Sequence, residues 1–494
     1  LLGNGQADAF NFSRLLNDWS WQEINDDAPW DARAGLRVEE LQGKLYLMGG
    51  RSPIDPLISP APGASTIWGD IWRSNDKGLT WDRIVATEDP GHWPARAYFQ
   101  TVTKGRYMYV IGGQNFELIP NPDPNGPPFL SVSRFFNDVW RSSDGEHWQQ
   151  MTAEAEWEGR AGLSAVRLGG KIYVMGGSLN DDAAVIGGPP ARIYFNDVWS
   201  SRDGVSWELE TAEAPWAKRA GGVVVARGDW MYLFGGEDGF TCLPGGRCPP
   251  YYNDVWRSLD GANWELVTAE APWSSRPGHQ VVKVNGRFVL FGGFGLSPDP
   301  ANPFAPANPM DMWTSQDGAN WHQLDATPWN AADPAGIKYD FAAIATHAGR
   351  RGGGTRIMTF GGDRETFDFM DFTNYLNVDN DVWSFAPPRW DHAKNDDVMS
   401  VVVETGLHAA TPNPFNPSTT IAFSLAGEQR VRLAVYDMGG RLVRTLADDV
   451  YGRGAHEFVW QGRDMADRPV ASGVYFYQLQ TGGETEVRRM VLVQ

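Results

Sequence analysis

The sequence of 494 residues is poor in cysteine, in basic side chains and in long apolar runs. Its 2 cysteines have no histidine near them that would complete a zinc ligand set. It carries 42 Lys and Arg against 61 Asp and Glu, a net charge of −19, whereas phosphate binding needs a basic face. No apolar stretch reaches the roughly 20 residues of a membrane-spanning helix. These shortages argue against a zinc module, a nucleic-acid-binding protein and a membrane-spanning protein.

The two cysteines, Cys242 and Cys248, lie in one loop with the sequence CLPGGRC. Their even number and short separation predict a disulfide. Two unrelated thiols, or half of a metal site, are the alternatives. A disulfide favours an oxidising, extracytoplasmic compartment.

What the chain has in abundance is repetition. Six copies of one segment each end an apolar run in two glycines and then supply an Asp-hydrophobic-Trp tripeptide. The glycine pairs begin at Gly49, Gly112, Gly176, Gly235, Gly292 and Gly361, and the tripeptides end at Trp72, Trp140, Trp199, Trp256, Trp313 and Trp383. Each copy has signals for four short strands, which bury neither face unless neighbouring copies stack. The repeat therefore predicts an all-β, six-bladed β-propeller over residues 1–390.

The two ends of this propeller are predicted to meet. Residues 20–24, SWQEI, have the signature of a fourth strand, although no first three strands precede them. The last copy, around Trp383, has three strands and lacks a fourth. We therefore expect residues 20–24 to complete the last blade, which removes open sheet edges.

The repeats YVMGG, YLFGG and VLFGG, each followed by NDVW or a similar tetrapeptide, resemble the kelch family. Residues 398–494 show short strand signals, including TTIAFSL, VRLAVYD and GVYFYQL, that predict a small β-sandwich. The stretches TPNPFNPSTTIAFSL and VYDMGGRLVRTL resemble the C-terminal domains that direct bacterial proteins through type IX secretion, and the immunoglobulin-like modules of flagellar hook-capping proteins. This resemblance implies an extracellular or outer-surface location in a bacterium. It also implies that the C-terminal domain docks to secretion or surface machinery.

A Trp precedes an Arg by three residues in five of the connections between blades. These candidate binding residues are Trp30 and Arg33, Trp93 and Arg96, Trp157 and Arg160, Trp216 and Arg219, and Trp273 and Arg276. At the mouth of the central channel the guanidinium groups could bind a carboxylate or sulfate, and the indoles could stack on sugars. In the kelch pattern, an Arg that opens the first strand often only pairs with neighbouring blades. The sequence favours this packing role.

Specific function is expected in the unrepeated loops, because loops carry function while strands carry packing. Three are rich in proline or closed by the cysteines, and a fourth is acidic and aromatic; they are residues 118–128, 242–248, 297–309 and 363–375. The sequence predicts a recognition protein that binds a protein or a glycan. The alternative is a propeller carbohydrate enzyme similar to sialic-acid mutarotases or sialidases, but no catalytic set can be assigned. No cofactor is expected, although calcium could bind near Asp123, Asp181, Asp182 and Asp299.

Overall fold

A computed structural model shows an all-β chain that divides into two compact units, Leu1–His392 and Ala393–Gln494. It describes residues 16, 18–54, 64–115, 118–120, 129–131, 133–180, 192–239, 250–295, 310–330, 337–347, 355–365, 376–387, 406–408, 410, 413–425, 429–451, 454–465, 468–482 and 485–493. No helix in these ranges is long and apolar enough to cross a membrane.

The described part of the first unit forms six antiparallel sheets of four strands. From the innermost to the outermost strand they are sheet I (Arg37–Leu41, Lys44–Pro53, Ser65–Ser74, Asp82–Val85), sheet II (Gln100–Lys104, Tyr107–Ile111, Val139–Ser142, Trp148–Thr152), sheet III (Ser164–Leu168, Lys171–Met175, Val198–Ser201, Glu208–Thr211), sheet IV (Val223–Arg227, Trp230–Glu237, Tyr251–Ser258, Trp264–Thr268), sheet V (His279–Val284, Arg287–Gly292, Met312–Ser315, Trp321–Leu324) and sheet VI (Ala342–His347, Thr355–Asp363, Val378–Ala386, Ser20–Asn25). Each innermost strand contacts those of both neighbouring sheets, and the last contacts the first. The unit is therefore a closed β-propeller around a central channel.

Short elements supplement these sheets. Gln114–Asn115 pairs with Arg134–Phe135, Leu118–Pro120 with Phe129–Ser131, and Ser178–Leu179 with Ile193–Tyr194. A 3₁₀ turn spans Pro328–Asn330. The first and third of these pairs extend sheets II and III at the end of the channel where the glycine pairs lie.

The N-terminal strand Ser20–Asn25 is the outermost strand of sheet VI. It pairs antiparallel with Val378–Ala386, with Ser20 opposite Ala386 and Glu23 opposite Trp383. Trp21 packs on Trp329 of the preceding connection, with ring centroids 5.0 Å apart. Both ends of the unit thus contribute to one sheet, and this shared sheet closes the ring.

The glycine pairs are explained by close approach between neighbouring sheets. Gly49 has a φ of +57°, and a Cβ atom there would lie 2.7 Å from the carbonyl oxygen of Arg96 in the next sheet. The second glycine donates across the same gap, as in the 3.0 Å bond from the Gly50 amide to the Arg96 carbonyl. Only glycine tolerates both the left-handed backbone and this contact.

Between the sheets, tryptophan packs on tryptophan. The Trp of each connection meets the edge of the Trp that opens or precedes a fourth strand. These pairs are Trp30–Trp81, Trp93–Trp148, Trp157–Trp207, Trp216–Trp264 and Trp273–Trp321, with centroids 5.8 to 6.5 Å apart. Edge-to-face pairs of this kind contribute about 0.5–1.5 kcal/mol each beyond their burial.

The second unit is a sandwich of two antiparallel sheets. One contains Gly406–Leu407, Thr419–Leu425 and Gly454–Trp460, and the other contains Leu442–Tyr451, Gln429–Asp437, Gly473–Gln480 and Thr485–Leu492 in that order across the sheet. Alternate residues such as Leu433, Val435, Tyr477 and Leu479 face the core, where they pack with Trp460. This alternation is what a two-layer β-sandwich requires.

Candidate functional site

The five arginines of the Trp-Arg pattern lie inside the propeller sheets. Arg96, fully buried, donates to both carboxylate oxygens of Asp138 at 2.7 and 2.9 Å and to the carbonyl oxygen of Gly112 at 2.8 Å. The partner is always the Asp of the Asp-hydrophobic-Trp tripeptide in the same sheet. The equivalent pairs are Arg33–Asp70, Arg160–Asp197, Arg219–Asp254 and Arg276–Asp311, at 2.5 to 2.7 Å.

The accompanying tryptophans are buried as well. Trp93, Trp157, Trp216 and Trp273 are at most 1% exposed and contact the fourth-strand tryptophans described above. The structure therefore does not place these residues around the channel mouth, where the ligand-binding hypothesis needs them. The reason is that each repeat supplies its own carboxylate, which occupies the fork of the guanidinium group. This geometry favours the packing role.

The sixth sheet uses a lysine where the others use arginine. Lys338 is 1% exposed, and its Nζ lies 2.5 Å from Asp381 and 2.8 Å from Asp379. Sequence reasoning missed it because Lys338 follows Trp329 by nine positions instead of three. The signal that could have found it is Asp381, a tripeptide Asp that needed a buried cation.

In sheets I to V, an aspartate lies in the turn between the third and fourth strands. Asp144 accepts hydrogen bonds from the amides of Glu146 and His147, both at 2.9 Å. Burial raises the pKa of Asp144, but these bonds outweigh it and bring the pKa to about 2. Asp76, Asp203, Asp260 and Asp317 also accept turn amides. These aspartates therefore stabilise the hairpin turns.

The central channel contains a cavity of about 210 Å³ lined by the innermost strands of all six sheets. Its rim is formed by the residue two positions after each buried cation: Gly35, Tyr98, Gly162, Gly221, Gly278 and Asp340. All six have a left-handed backbone, with φ between 51° and 65°. Their amides link neighbouring sheets, as in the bonds from Gly35 to the Asp340 carbonyl at 2.8 Å and from Tyr98 to the Gly35 carbonyl at 2.9 Å.

Tyr98 and Asp340 are exceptions in this rim. Four sheets place glycine there, because a left-handed conformation costs other residues about 1–2 kcal/mol. The backbone hydrogen bonds between neighbouring rim residues do not require the side chains of Tyr98 and Asp340, since glycine makes the same amide bonds elsewhere in the ring. Backbone strain of this kind is concentrated at functional sites.

Two further side chains meet Tyr98 at the rim. Arg51, which follows the glycine pair of sheet I, donates from Nε to the Tyr98 hydroxyl at 2.7 Å. Its Nη2 also donates to the carboxylate of Asp363, which follows the glycine pair of sheet VI. We call Arg51, Tyr98, Asp340 and Asp363 the mouth cluster. No other sheet repeats this combination: the residues equivalent to Arg51 are Gln114, Ser178, Glu237, Phe294 and Asp363.

The mouth cluster is electrostatically unbalanced. Burial, and then the Asp363 carboxylate, raise the pKa of Asp340 to about 6, although Arg51 acts in the opposite direction. Burial and Asp363 likewise raise the pKa of Glu365 to about 7. Burial also raises the pKa of the Tyr98 hydroxyl. Carboxyl groups outnumber the single cluster cation, Arg51, so the site favours protons or donors.

Several sequence predictions fall outside the described residues: the cysteines Cys242 and Cys248, the four calcium candidates Asp123, Asp181, Asp182 and Asp299, and most of the four unrepeated loops. Within the described ranges, no three His, Cys, Asp or Glu side chains form a metal-binding group. His279 is buried, with Nδ1 3.0 Å from the Arg276 carbonyl, and burial lowers its pKa to about 3. It is thus a neutral structural residue.

Comparisons with known proteins cover parts of the chain. The family model described as FlgD Ig-like domain matches residues 413–484. Among curated proteins, the chain is 30% identical over 195 residues to "Tip elongation aberrant protein 1" of Schizosaccharomyces pombe, which is 38% of this chain and 14% of that protein. It is 24% identical over 229 residues to "Leucine-zipper-like transcriptional regulator 1 homolog" of Drosophila melanogaster, 45% of this chain and 21% of that protein. The chain thus spans about a fifth or less of these relatives' length.

A solved structure titled "Structure of YjhT" is similar at a TM-score of 0.47 and 15% identity, over 69% of this chain and 93% of the other. The chain is an all-β protein that joins a β-propeller to an immunoglobulin-like domain.

Proposed function

We propose that this chain is a recognition protein that binds a glycan at the rim of its propeller channel. One observation carries the proposal: Tyr98 and Asp340 replace glycine in a left-handed rim, and Arg51 of sheet I and Asp363 of sheet VI converge there. A phenol ring, carboxylates and a guanidinium group are the side chains that bind hydroxyl-rich rings, by stacking and by hydrogen bonds.

The size of the cavity limits what can enter. At about 210 Å³ it is smaller than the roughly 300–1,000 Å³ of typical small-molecule pockets. One sugar residue at the rim, with the remainder of the glycan across the loop face, is the arrangement that this volume favours. The propeller is proposed to be of the kelch type, and its loops, including any Cys242–Cys248 disulfide, to shape this face.

The immunoglobulin-like domain supports the cellular part of the proposal. Its described sheets form a separate compact unit with a core of its own. We propose that the protein acts outside the cell, secreted or held on the outer surface of a bacterium, and that this domain serves type IX sorting or surface docking. Protease accessibility on intact cells tests this: protection of the full chain from added protease would contradict an outer-surface location.

A binding test can use the repeat itself as its control. Tyr98→Gly and Asp340→Gly give sheets II and VI the rim residue that four sheets already have, so the backbone is expected to fold. Each variant should lose glycan capture at least tenfold on an array, while Glu208→Gln, on an outermost strand at 78% side-chain exposure, should not. Wild-type capture by both rim variants, or selective capture of a protein with no glycan bound, would refute the proposal.

A carbohydrate enzyme is the second candidate, and one observation favours it. Asp340, with its pKa near 6, and Glu365, with its pKa near 7, are both influenced by the Asp363 carboxylate and would provide an acid and a base near neutral pH. Following anomer interconversion and glycosidic hydrolysis across a sugar panel by NMR tests it. Turnover that Asp340→Asn abolishes would establish the enzyme; absence of turnover with any bound sugar would dismiss it.

A further inference from the structure

Charge is distributed unevenly between the two ends of the propeller. The connections that run from fourth to first strands lie at the channel mouth, and we call their exposed carboxylates the acidic collar. These residues are Asp26, Asp27, Asp31, Glu88, Asp89, Glu154, Glu156, Glu158, Glu213, Glu270 and Asp325. Lys218 is the exposed cation of the connections that the structure describes, because their arginines are buried in ion pairs.

The far end of the channel carries the opposite charge. Five or six positions after the rim residue, sheets II to V each place one cation near the end of the innermost strand, whereas sheet I has Glu40 there and sheet VI has Ala345. Because these strands run along the channel away from the rim, the four cations follow one another around its far end. We call them the basic crescent: Lys104, Arg167, Arg227 and Lys283.

No carboxylate neutralises the basic crescent among the described residues. The side chains of Arg167 and Lys283 are exposed and make no hydrogen bond or ion pair there. Lys104 and Arg227 donate to backbone carbonyl oxygens of the next sheet, Arg227 from Nε at 2.7 Å. A carbonyl oxygen leaves the positive charge of its donor uncompensated. The crescent is therefore a patch of positive potential on a protein of net charge −19.

The surface around the basic crescent is open and partly apolar. A Cβ atom added to Gly105 or Gly228, in the hairpins that follow two crescent strands, would have no atom of a non-neighbouring residue within 4 Å. Farther from the channel, turns at the same end expose Leu79, Val205 and Leu259, by 43%, 42% and 51%. Cations attract lipid phosphates, and apolar side chains beside them can enter the headgroup region. This combination favours a membrane interface over a soluble acidic polymer.

We propose that the far end of the propeller docks on an anionic lipid surface through the basic crescent. The same surface repels the acidic collar, so the two ends together orient the channel mouth away from the membrane. The net charge of −19 does not prevent this contact, because salt at about 0.1 M screens charges more than about 10 Å away. The inference does not rest on glycan recognition, since it uses none of the mouth cluster.

The test is cosedimentation of the full chain with vesicles of phosphatidylcholine alone and with vesicles of equal parts phosphatidylcholine and phosphatidylglycerol. We expect binding to the anionic vesicles only. Each Lys or Arg near such a surface contributes about 1 kcal/mol, which corresponds to about fivefold in affinity. Arg167→Gln and Lys283→Gln should therefore each weaken binding about fivefold, and the double variant roughly 25-fold. Lys218→Gln makes the same change of net charge at the mouth and should leave the affinity unchanged.

Several results would overturn the proposal. Equal binding to both kinds of vesicle would exclude recognition of lipid charge. An equal loss in Arg167→Gln and Lys218→Gln, or wild-type binding by the double variant, would show that the basic crescent is not the docking surface. Capture of soluble polygalacturonate without binding to either vesicle would identify an acidic polymer as the partner instead. Arg167→Lys with Lys283→Arg keeps both charges and should bind as the wild type does; a loss in this variant would contradict the role of charge.

Discussion

Replacing Arg219 by alanine is expected to destabilise the propeller. The guanidinium group is 2% exposed and donates to both oxygens of Asp254, at 2.6 and 2.9 Å. It also donates to the carbonyl oxygens of Gly235 and Ala217, each at 3.0 Å. The face of Tyr252 lies 4.0 Å from the guanidinium carbon. Alanine removes all of these contacts at once.

The largest contribution comes from the carboxylate left behind. Asp254 has a side-chain exposure of 15%, so water replaces only part of the lost charge and hydrogen bonds. Removing one partner of such a pair costs about 3–5 kcal/mol. The free energy of unfolding can be measured by urea denaturation with tryptophan fluorescence as the signal. This signal reports mainly on the first unit, because 22 of the 23 tryptophans precede residue 393.

Two further variants test the reasoning. Arg257→Ala removes an arginine whose pair with Glu265 is 35% and 57% exposed, and should cost about 1 kcal/mol or less. The double variant Arg219→Met with Asp254→Leu leaves no unpaired charge and should recover most of the loss. The packing role would be refuted if Arg219→Ala cost under about 1 kcal/mol and yet abolished glycan capture.

Three other perturbations have clear expected outcomes. Gly113→Ala places a Cβ atom 2.6 Å from the Cβ of Phe99 and should lower the free energy of unfolding, measured by denaturation, by more than about 3 kcal/mol. Gly105→Ala, at φ +63° with nothing within 4 Å, should lower it by about 1 kcal/mol. Similar losses of stability in the two variants would contradict the close-approach argument. Lys338→Met leaves Asp381 without its cation and Asp379 with only Arg364, at 3.8 Å, and should lower stability by about 3 kcal/mol or more. Lys338→Arg, checked in the same assay, should retain most of the wild-type stability. The pKa of Asp340 is about 6 in the folded protein, against an ordinary value of 3.8 for an aspartate. Its negative charge therefore destabilises the fold above pH 6, by up to about 3 kcal/mol or, given its partial exposure, by about 1–2 kcal/mol. This penalty disappears as the pH falls towards 4 and the carboxyl group is protonated in both states. Asp340→Asn should therefore be more stable than the wild type at pH 8 and equal to it near pH 4; a difference independent of pH would be contrary to this account.

Local patterns predicted the strands well. The four runs GGVVVARG, WMYLFGG, NDVWRSLD and NWELVT overlap the four strands of sheet IV. In the second unit, TTIAFSL coincides with Thr419–Leu425. Alternation and turn residues are local properties, so they can be interpreted without knowledge of the distant partners.

The candidate site could not be predicted in the same way. Both Arg33 and Arg51 are arginines near the start of a repeat, yet Arg33 meets a carboxylate within its own sheet and Arg51 meets one 312 residues away. After the arginine, three of the other connections have Ala-Gly and one has Pro-Gly, whereas this connection has Ala-Tyr, with Tyr98 in the place of the glycine. Its substitution for glycine was visible in the sequence, but the left-handed backbone that makes it significant was not.

The sequence by itself determined the all-β class, the repeat and the immunoglobulin-like character of the C-terminal part, because these depend on patterns within short segments. The tertiary structure alone decided which charged side chains are used in packing. Each of five arginines is neutralised by an aspartate 35 to 42 residues further along the chain. Closure of the ring then brings Arg51, Tyr98, Asp340 and Asp363 from sheets I, II and VI to one rim. A site assembled across the ring has no counterpart in any single repeat.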